Sequence, residues 1–386
     1  MSKKKLYITR TLKLLSLAIA ILMTVQFLQH FFLCHMDNNK QLFDGFYLED
    51  KNTIDVAFIG ASEVFSDYSP ALAYEKHGFT SYALASGGAP ISVYKTAVKE
   101  VLRTQNPQLI VIEVNGALYR ESEELKNDAK IRKFIDNIPL NSNKIEYISE
   151  NIATDDRLEY YFPVVKYHCV WNDFPKSLKW TLADFDQYFR GYNYLKGVRT
   201  KATVLDNSKV KPLNDTLKEN GKTAELQKDA EKGLREFLQF CKDEKLDNII
   251  FTRFPHIVTK KNNYARFKRG NEIGSIINEY GFEYYNFERN FEDTGLDIKT
   301  DFYNIEHLNL CGMKKMTDYL SDFFVENFGV NGDNHTDATK KEWDECVKFF
   351  HKYEKYIEDE KNTFKKPSTE APGESFDVIR TIQNDY

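Results

Sequence analysis

Cysteine is scarce and scattered: five residues, at positions 34, 169, 241, 311 and 346, form no close pair and no metal spacing. That leaves room for one disulfide but excludes a disulfide scaffold, and the thiols are expected to be mostly buried. A basic excess is also lacking, since the formal charge is -5, so no electrostatic footprint for nucleic acid exists. The eight histidines show no paired ligand spacing such as His-Glu-x-x-His, which argues against a motif-encoded metal site. A glycine-rich dinucleotide fingerprint is missing too, because neither Gly60 nor Ser86-Gly87-Gly88 supplies the spacing, and no nucleotide or redox cofactor is expected. No internal repeat is found.

What the chain does have is length, aromatics and one long apolar run. Its 386 residues, 42% hydrophobic with 23 Tyr and 29 Phe, exclude wholesale disorder and suffice for one large α/β domain with an insertion. Leu14 to Leu33 is mainly apolar over 20 residues, about 30 Å as a helix and enough to cross a bilayer. Lys3, Lys4, Lys5, Arg10 and Lys13 precede it, and Asp37, Asp44, Glu49 and Asp50 follow. This bias predicts a cytoplasmic N-terminus and a domain on the outer side of a single-pass anchor. The rival reading is a cleaved signal peptide, but bulky Gln29, His30, Phe31 and Phe32 replace the small-x-small site. Gln26, Gln29 and His30 place the last turns near the outer interface. A cytosolic protein whose apolar N-terminus is no membrane segment is the weakest alternative.

The remaining pattern is doubly wound. IDVAFI (54 to 59) reads as a buried strand ending at Gly60, Tyr82 to Ala85 as a second, and LIVIEV (109 to 114) as the clearest one, with a helix over 91 to 104 between the last two. The spacing is that of a βαβ unit with parallel pairing. The rhythm returns with a helix carrying Leu226, Ala230, Leu234, Leu238 and Cys241, a strand at 248 to 252, a helix at 271 to 279, a strand at 284 to 287 and a helix carrying Met313, Met316, Leu320 and Phe324. The prediction is a flavodoxin-like three-layer α/β/α domain over about 50 to 330, after an anchor over 1 to 36. An aromatic, charged insertion occupies about 120 to 222, its aromatics expected mostly to form a small core of their own. An amphipathic helix over 340 to 360 puts Trp343, Cys346, Phe350 and Tyr353 on one stripe, and residues 361 to 386 read as a mobile tail.

Ligands of open parallel sheets lie beyond the carboxyl ends of the strands. Three segments converge there: Gly60-Ala61-Ser62-Glu63, Glu113-Val114-Asn115-Gly116, and Asn304 to Asn309. A serine beside helix-start amides has the setting of a nucleophile, and a late-loop histidine could take its proton. Read as plain structure, Ser62 would be a helix cap, His307 a satisfied structural histidine, Asn115 a turn former, and Glu113 a hydrogen-bond partner of a neighbouring loop.

FIGASEVF (58 to 65), SYALASGGAPI (81 to 91), LIVIEVNG (109 to 116) and DFYNIEHLNLCGMKKMTDYL (301 to 320) together resemble the SGNH/GDSL hydrolase superfamily. The likeness is to its membrane-anchored extracytoplasmic branch, related to the D-alanine transfer and alginate O-acetylation proteins. It extends loosely to HCVW (168 to 171) and covers most of 50 to 326. The resemblance implies that Ser62 is the nucleophile, His307 its base, and Ser62, Ala85 and Asn115 the oxyanion hole. The family's Asp falls at Asn304, and its usual Asn and Gly of the second block are Ala83 and Ala85 here. An amide cannot supply a carboxylate's charge and can hold the wrong imidazole tautomer; Asp301, Glu306 and Glu63 are the nearby acids that could compensate. His168 and Trp171 are candidates for an acceptor groove, with packing inside the insertion as the stronger alternative, and Arg253, with His256 beside it, for holding an anionic substrate group, with an ordinary surface arginine as its alternative. The activity implied is a serine-dependent esterase or O-acyltransferase on cell-envelope polysaccharide, without a cofactor. Its partners would be an acylated glycan, an integral membrane acyl-transfer protein, and lipid through the N-terminal helix. The alternative is a catalytically inactive carbohydrate-binding or assembly protein of the same fold.

Overall fold

The computed structural model describes residues 3–36, 39–206, 208 and 210–363. From position 364 on, the expected tail lies outside the described residues. Helix α1 (Lys3–Met36) contains an apolar stretch, Tyr7–Leu33, long enough to cross a membrane and with its most apolar window wholly uncovered by the domain. Only its last turns are covered, where Phe31, Phe32 and Leu33 are buried. After α2 (Asn39–Leu48) come β1 (Val56–Gly60), α3 (Ser62–Asp67), α4 (Pro70–His77), β2 (Ser81–Ala85), α5 (Tyr94–Thr104) and β3 (Leu109–Glu113).

Between β3 and β4 (Ile249–Arg253) the described residues form no strand. They form α6 (Ser122–Leu125), α7 (Asp128–Ile135), α8 (Ser142–Asn151), α9 (Arg157–Tyr161), α10 (Pro163–Tyr167), α11 (Phe174–Arg190) and α12 (Lys228–Asp243). The chain then completes α13 (Tyr264–Glu279), β5 (Glu283–Asn286), α14 (Leu310–Phe328) and α15 (Asp337–Thr363).

All five strands pair in parallel in the order β2-β1-β3-β4-β5, which puts the topological switch point between β1 and β3. The strands alternate strictly, and this creates the layers. Ala57, Ile59, Ile110, Ile112 and Phe251 face α5, α12 and α13, whereas Phe58, Val111 and Ile250 face α3 and α14. The sequence places strand and helix centres well, but α13 begins at Tyr264 rather than 271. Phe267 extends it by packing with Leu217 and Val258 in a satellite cluster.

Two expectations are corrected. The aromatics of the insertion do not make one core of their own. Tyr160 joins the main core, Val170 packs on Phe31 and Phe32, and Trp180 clusters with Phe349, Phe350 and Tyr353. Among the thiols whose burial is described, Cys241 and Cys346 are buried, but Cys169 and Cys311 are exposed.

The amphipathic C-terminal helix follows its stripe, with Trp343, Cys346, Phe350 and Tyr353 all buried. It closes over Ala71 of α4, over Leu310 and Met313 of α14, and over Leu195 and Val198. Truncating Phe350 to Ala leaves a cavity at that junction and should lower unfolding free energy by about 3 to 5 kcal/mol. Denaturant unfolding of the full chain in detergent measures this, and an unchanged midpoint would show that α15 is not integral to the fold.

Candidate functional site

Backbone topology brings the predicted residues to one place. At the switch point, β1 ends at Gly60 and turns directly into α3, so Ser62 occupies the first turn of that helix. A side chain at Gly60 would collide with Val64 Cγ2 at 2.7 Å and Glu113 Cβ at 2.8 Å, so glycine is required for the turn to pass β3 this closely. Ala85, the last residue of β2, is in register with Gly60, and Asn115 follows β3 on the other side.

His307 arrives on a loop closed by an antiparallel bridge between Phe302 and Leu308. Asn309 then caps α14 by accepting from the Gly312 N–H at 3.1 Å. The buried Asp67 carboxyl, at the end of α3, accepts from the Leu308 N–H at 3.0 Å and so ties the histidine loop to the serine helix. Burial pushes the Asp67 pKa well up.

Ser62 Oγ lies 2.7 Å from His307 Nε2, and His307 Nδ1 lies 3.1 Å from Asn304 Oδ1. The orientation of the amide is decided by the backbone: Oδ1 also accepts from the N–H groups of Glu306 and His307, each at 2.8 Å. An oxygen must therefore face the ring, Nδ1 must carry the proton, and Nε2 presents its lone pair to the serine hydroxyl. The wrong-tautomer hazard of an asparagine at this position is thus removed, although the missing negative charge is not.

Neither Asp301 nor Glu306 takes the place of Asn304 at Nδ1, although Glu306 pulls the pKa of the ring upward. Asp301 binds Lys315 Nζ at 2.7 Å, and Glu306 pairs with Arg266. Burial holds the His307 pKa below the ordinary value even though Glu63 pulls it upward, so the ring is neutral, as a base must be, near neutral pH.

Beneath the serine lies a buried charged cluster that the sequence reading found only in fragments. Glu63 accepts from Asn115 Nδ2 at 2.6 Å, and His256 Nε2 is 3.2 Å from the same oxygen. Its other oxygen is 3.4 Å from Ser62 Oγ. Glu288 lies 3.0 Å from His256 Nδ1 and 3.1 Å from Arg253 Nη2. Arg253 also donates to Asn115 Oδ1 at 3.1 Å and approaches Glu113 at 3.5 Å.

Burial raises the Glu63 carboxyl, but the His256 hydrogen bond and charge, with His307 and Arg253, outweigh it and hold the pKa near about 2. Burial and Glu63 together push Glu113 to about 8. Burial and Arg253 lower His256, whose Nδ1 also lies 2.8 Å from the Phe254 carbonyl, yet its pairing with the Glu288 and Glu63 carboxylates wins and raises it to about 9. Near pH 7 the cluster therefore holds two carboxylates, two cations and a protonated Glu113, a neutral set that avoids an unpaired buried charge.

Three predicted ligand contacts fall elsewhere. Arg253 is fully buried in this cluster, so its guanidinium is committed to Glu288, Asn115 and Glu113 rather than presented to a ligand, and the adjacent His256 is fully buried with it. His168 and Trp171 sit at the end of α1: the Trp171 ring packs edge-on against Phe31 and Phe32 at 5.9 and 5.7 Å. His168 Nδ1 lies 2.8 Å from the Val165 carbonyl. These contacts are with the end of α1 and within the insertion. A cavity of about 1140 Å³ opens between α5, α8 and α12, and none of the predicted site residues lines it.

Glu288 and Asp67 were missed. Both are single acids with no recognisable spacing, and only the sheet reveals their partners. Among the described residues, one group has ligand atoms close enough together for a metal: His30, Asp44 and Asp184, from three remote segments at the end of α1. Lys40 pairs with Asp44, so two basic side chains already face the two carboxyls. No family model matches the chain, and no curated protein matches it.

The cluster also makes stability pH-dependent. The folded chain keeps the Glu113 proton up to about 8, and the His256 proton up to about 9, whereas the unfolded chain releases them near 4.5 and 6.5. The native state thus binds more protons over that range, and stability falls as pH rises through it. The melting temperature should decline from about pH 6.5 to 9, and His256→Gln should flatten the decline. An equally steep decline in the variant would remove His256 from the account.

Proposed function

We propose that the chain is a serine-dependent esterase or O-acyltransferase of the SGNH/GDSL kind, acting on cell-envelope polysaccharide. The observation that carries this reading is the Ser62–His307–Asn304 relay, with the serine hydroxyl 2.7 Å from a lone pair on Nε2. Ser62 Oγ attacks an acyl carbonyl while its proton passes to Nε2, and the imidazolium returns that proton to the departing alcohol. The resulting acyl-serine is then attacked by water or by a sugar hydroxyl whose proton again moves to Nε2. Collapse restores free Ser62 and gives hydrolysis or transfer.

The Ser62 and Ala85 amides and the Asn115 side chain would stabilise the oxyanion. Asn115 has one N–H engaged on Glu63, leaving its second for this purpose. Glu63, ionised and next to Ser62, would supply to the imidazolium the negative charge that Asn304 lacks.

Placement of the domain outside the membrane follows the basic N-terminal flank. Retention of the anchor is supported by the burial of Phe31, Phe32 and Leu33 in the domain, since cleavage within that contact would expose it. An acylated envelope glycan is then the reachable substrate, and an integral membrane acyl-transfer protein a donor partner by analogy to the resembling branch. One observation favours the catalytically inactive, glycan-binding alternative: the bond of 2.6 Å between Asn115 and Glu63 fixes the amide, so its second N–H cannot turn freely to follow a developing oxyanion.

Intact-mass analysis after exposure to a fluorophosphonate tests the proposal. Wild type should gain one adduct, and Ser62→Ala and His307→Gln should gain none. A folded wild type that stays unmodified by several small probes would sink the catalytic reading. Asn304→Asp should speed labelling by about tenfold, the worth of making one hydrogen bond charge-assisted. The labelling rate should rise with pH to a half-maximum below the ordinary histidine value, and Glu63→Gln should move that point lower still. A shift upward would show that Glu63 does not support the imidazolium.

A further inference from the structure

Helix α11 is built inside out. Its buried positions are Ser177, Trp180, Thr181, Asp184 and Gln187, four of them polar. They are satisfied inward: Asp184 pairs with His30 at 3.0 Å, and Gln187 donates to the Gln41 carbonyl at 3.2 Å and to Asp184 at 2.7 Å. Thr181 donates to the Ser177 carbonyl at 2.8 Å. The outward positions are Phe174, Leu178, Leu182, Tyr188 and Phe189, and Phe189 is 92% exposed. In a water-facing helix the apolar stripe turns to the core and the polar one to solvent; here, with Trp180 buried and Asp186 partly outward as the exceptions, the described positions exchange the two.

The direction of the helix says what its outer face meets. Phe174 and Phe185 are eleven residues apart, about 16 Å along the axis. Yet their rings touch adjacent residues of α1, Phe31 at 5.3 Å and His30 at 5.5 Å. Helix α11 therefore crosses α1 steeply, at the end of its apolar stretch. If α1 stands across a bilayer, α11 lies along the surface of that bilayer. Trp171, itself 56% exposed, continues the apolar face onto Phe31 and Phe32. A tryptophan and phenylalanines at such a level are what a membrane interface selects.

We propose that α11 is an interfacial helix whose Phe174, Leu178, Leu182 and Phe189 enter the outer leaflet of the membrane crossed by α1, giving the domain a second lipid contact. The inference rests on α1 as a membrane span and is independent of the serine chemistry. With two non-collinear helices held by one bilayer, the domain cannot swivel freely about its anchor.

The test uses the full chain reconstituted in phosphatidylcholine/phosphatidylglycerol vesicles, with Cys34, Cys169 and Cys311 replaced by serine and an environment-sensitive nitrobenzoxadiazole label on single introduced cysteines. Labels at Leu182→Cys and Phe189→Cys should be blue-shifted and quenched several-fold more by lipids doxylated high on the acyl chain than a label at Glu236→Cys. Phe189 is nearly fully exposed, so its replacement disturbs no packing. A label at Leu17→Cys reports the span itself. Quenching at 17 without quenching at 182 and 189 would overturn the interfacial helix and leave the anchor intact. Absence of quenching at all of them would remove the span on which the inference rests. Shielding of 182 and 189 only in native membranes, with cross-links to another polypeptide, would overturn lipid in favour of a membrane protein partner.

Discussion

Two backbone N–H groups aimed at one amide oxygen decide what this site can be. Asparagine in place of a carboxylate would ordinarily be free to turn either its oxygen or its NH2 toward a histidine. The turn over residues 304 to 307 removes that choice, because the N–H groups of Glu306 and His307 both donate to Oδ1. The proton on His307 Nδ1 follows, and burial, which lowers the pKa of the ring, leaves Nε2 to accept from the Ser62 hydroxyl. What the turn cannot provide is charge, and the carboxylate that pulls hardest on the ring is Glu63, which lies 3.4 Å from Ser62 Oγ. Geometry and electrostatics, joined in one residue in an acidic relay, are here divided between two.

The floor of the site is heavily charged because its buried ions need one another. A carboxylate at Glu63 survives in a dry interior because His256 and Arg253 hold it, and those cations in turn require Glu288. Glu113 is the member left over, and it keeps a proton. Removing any one ionised member leaves a buried charge uncompensated, so the cluster is expected to behave as a unit rather than as separable pairs.

The elements carrying the sheet were readable because they are locally consistent. LIVIEV alternates onto two apolar faces, and the helices on each side carry an unmistakable stripe. The meeting of Ser62, Asn115 and His307 was readable from strand ends and a switch-point rule. Arg253 was misjudged because a charged residue at a strand end reads as a ligand contact until its buried partners are seen. For His168 and Trp171 packing was the stronger reading, but its partner, the end of a membrane-length helix, has no local signal in the sequence. The exchanged faces of α11 were invisible for the same reason: periodicity gives the existence of an apolar stripe but not which way it points.

Ser62 and His307 stand 245 positions apart in the chain, and the clamp from Asp67 to Leu308 spans nearly as many. The serine is therefore made early and its base very late. A growing polypeptide carries an inert hydroxyl until α14 and the loop before it have been synthesised and docked. Whatever reactivity the finished site possesses is withheld from the nascent chain by the order of its own sequence.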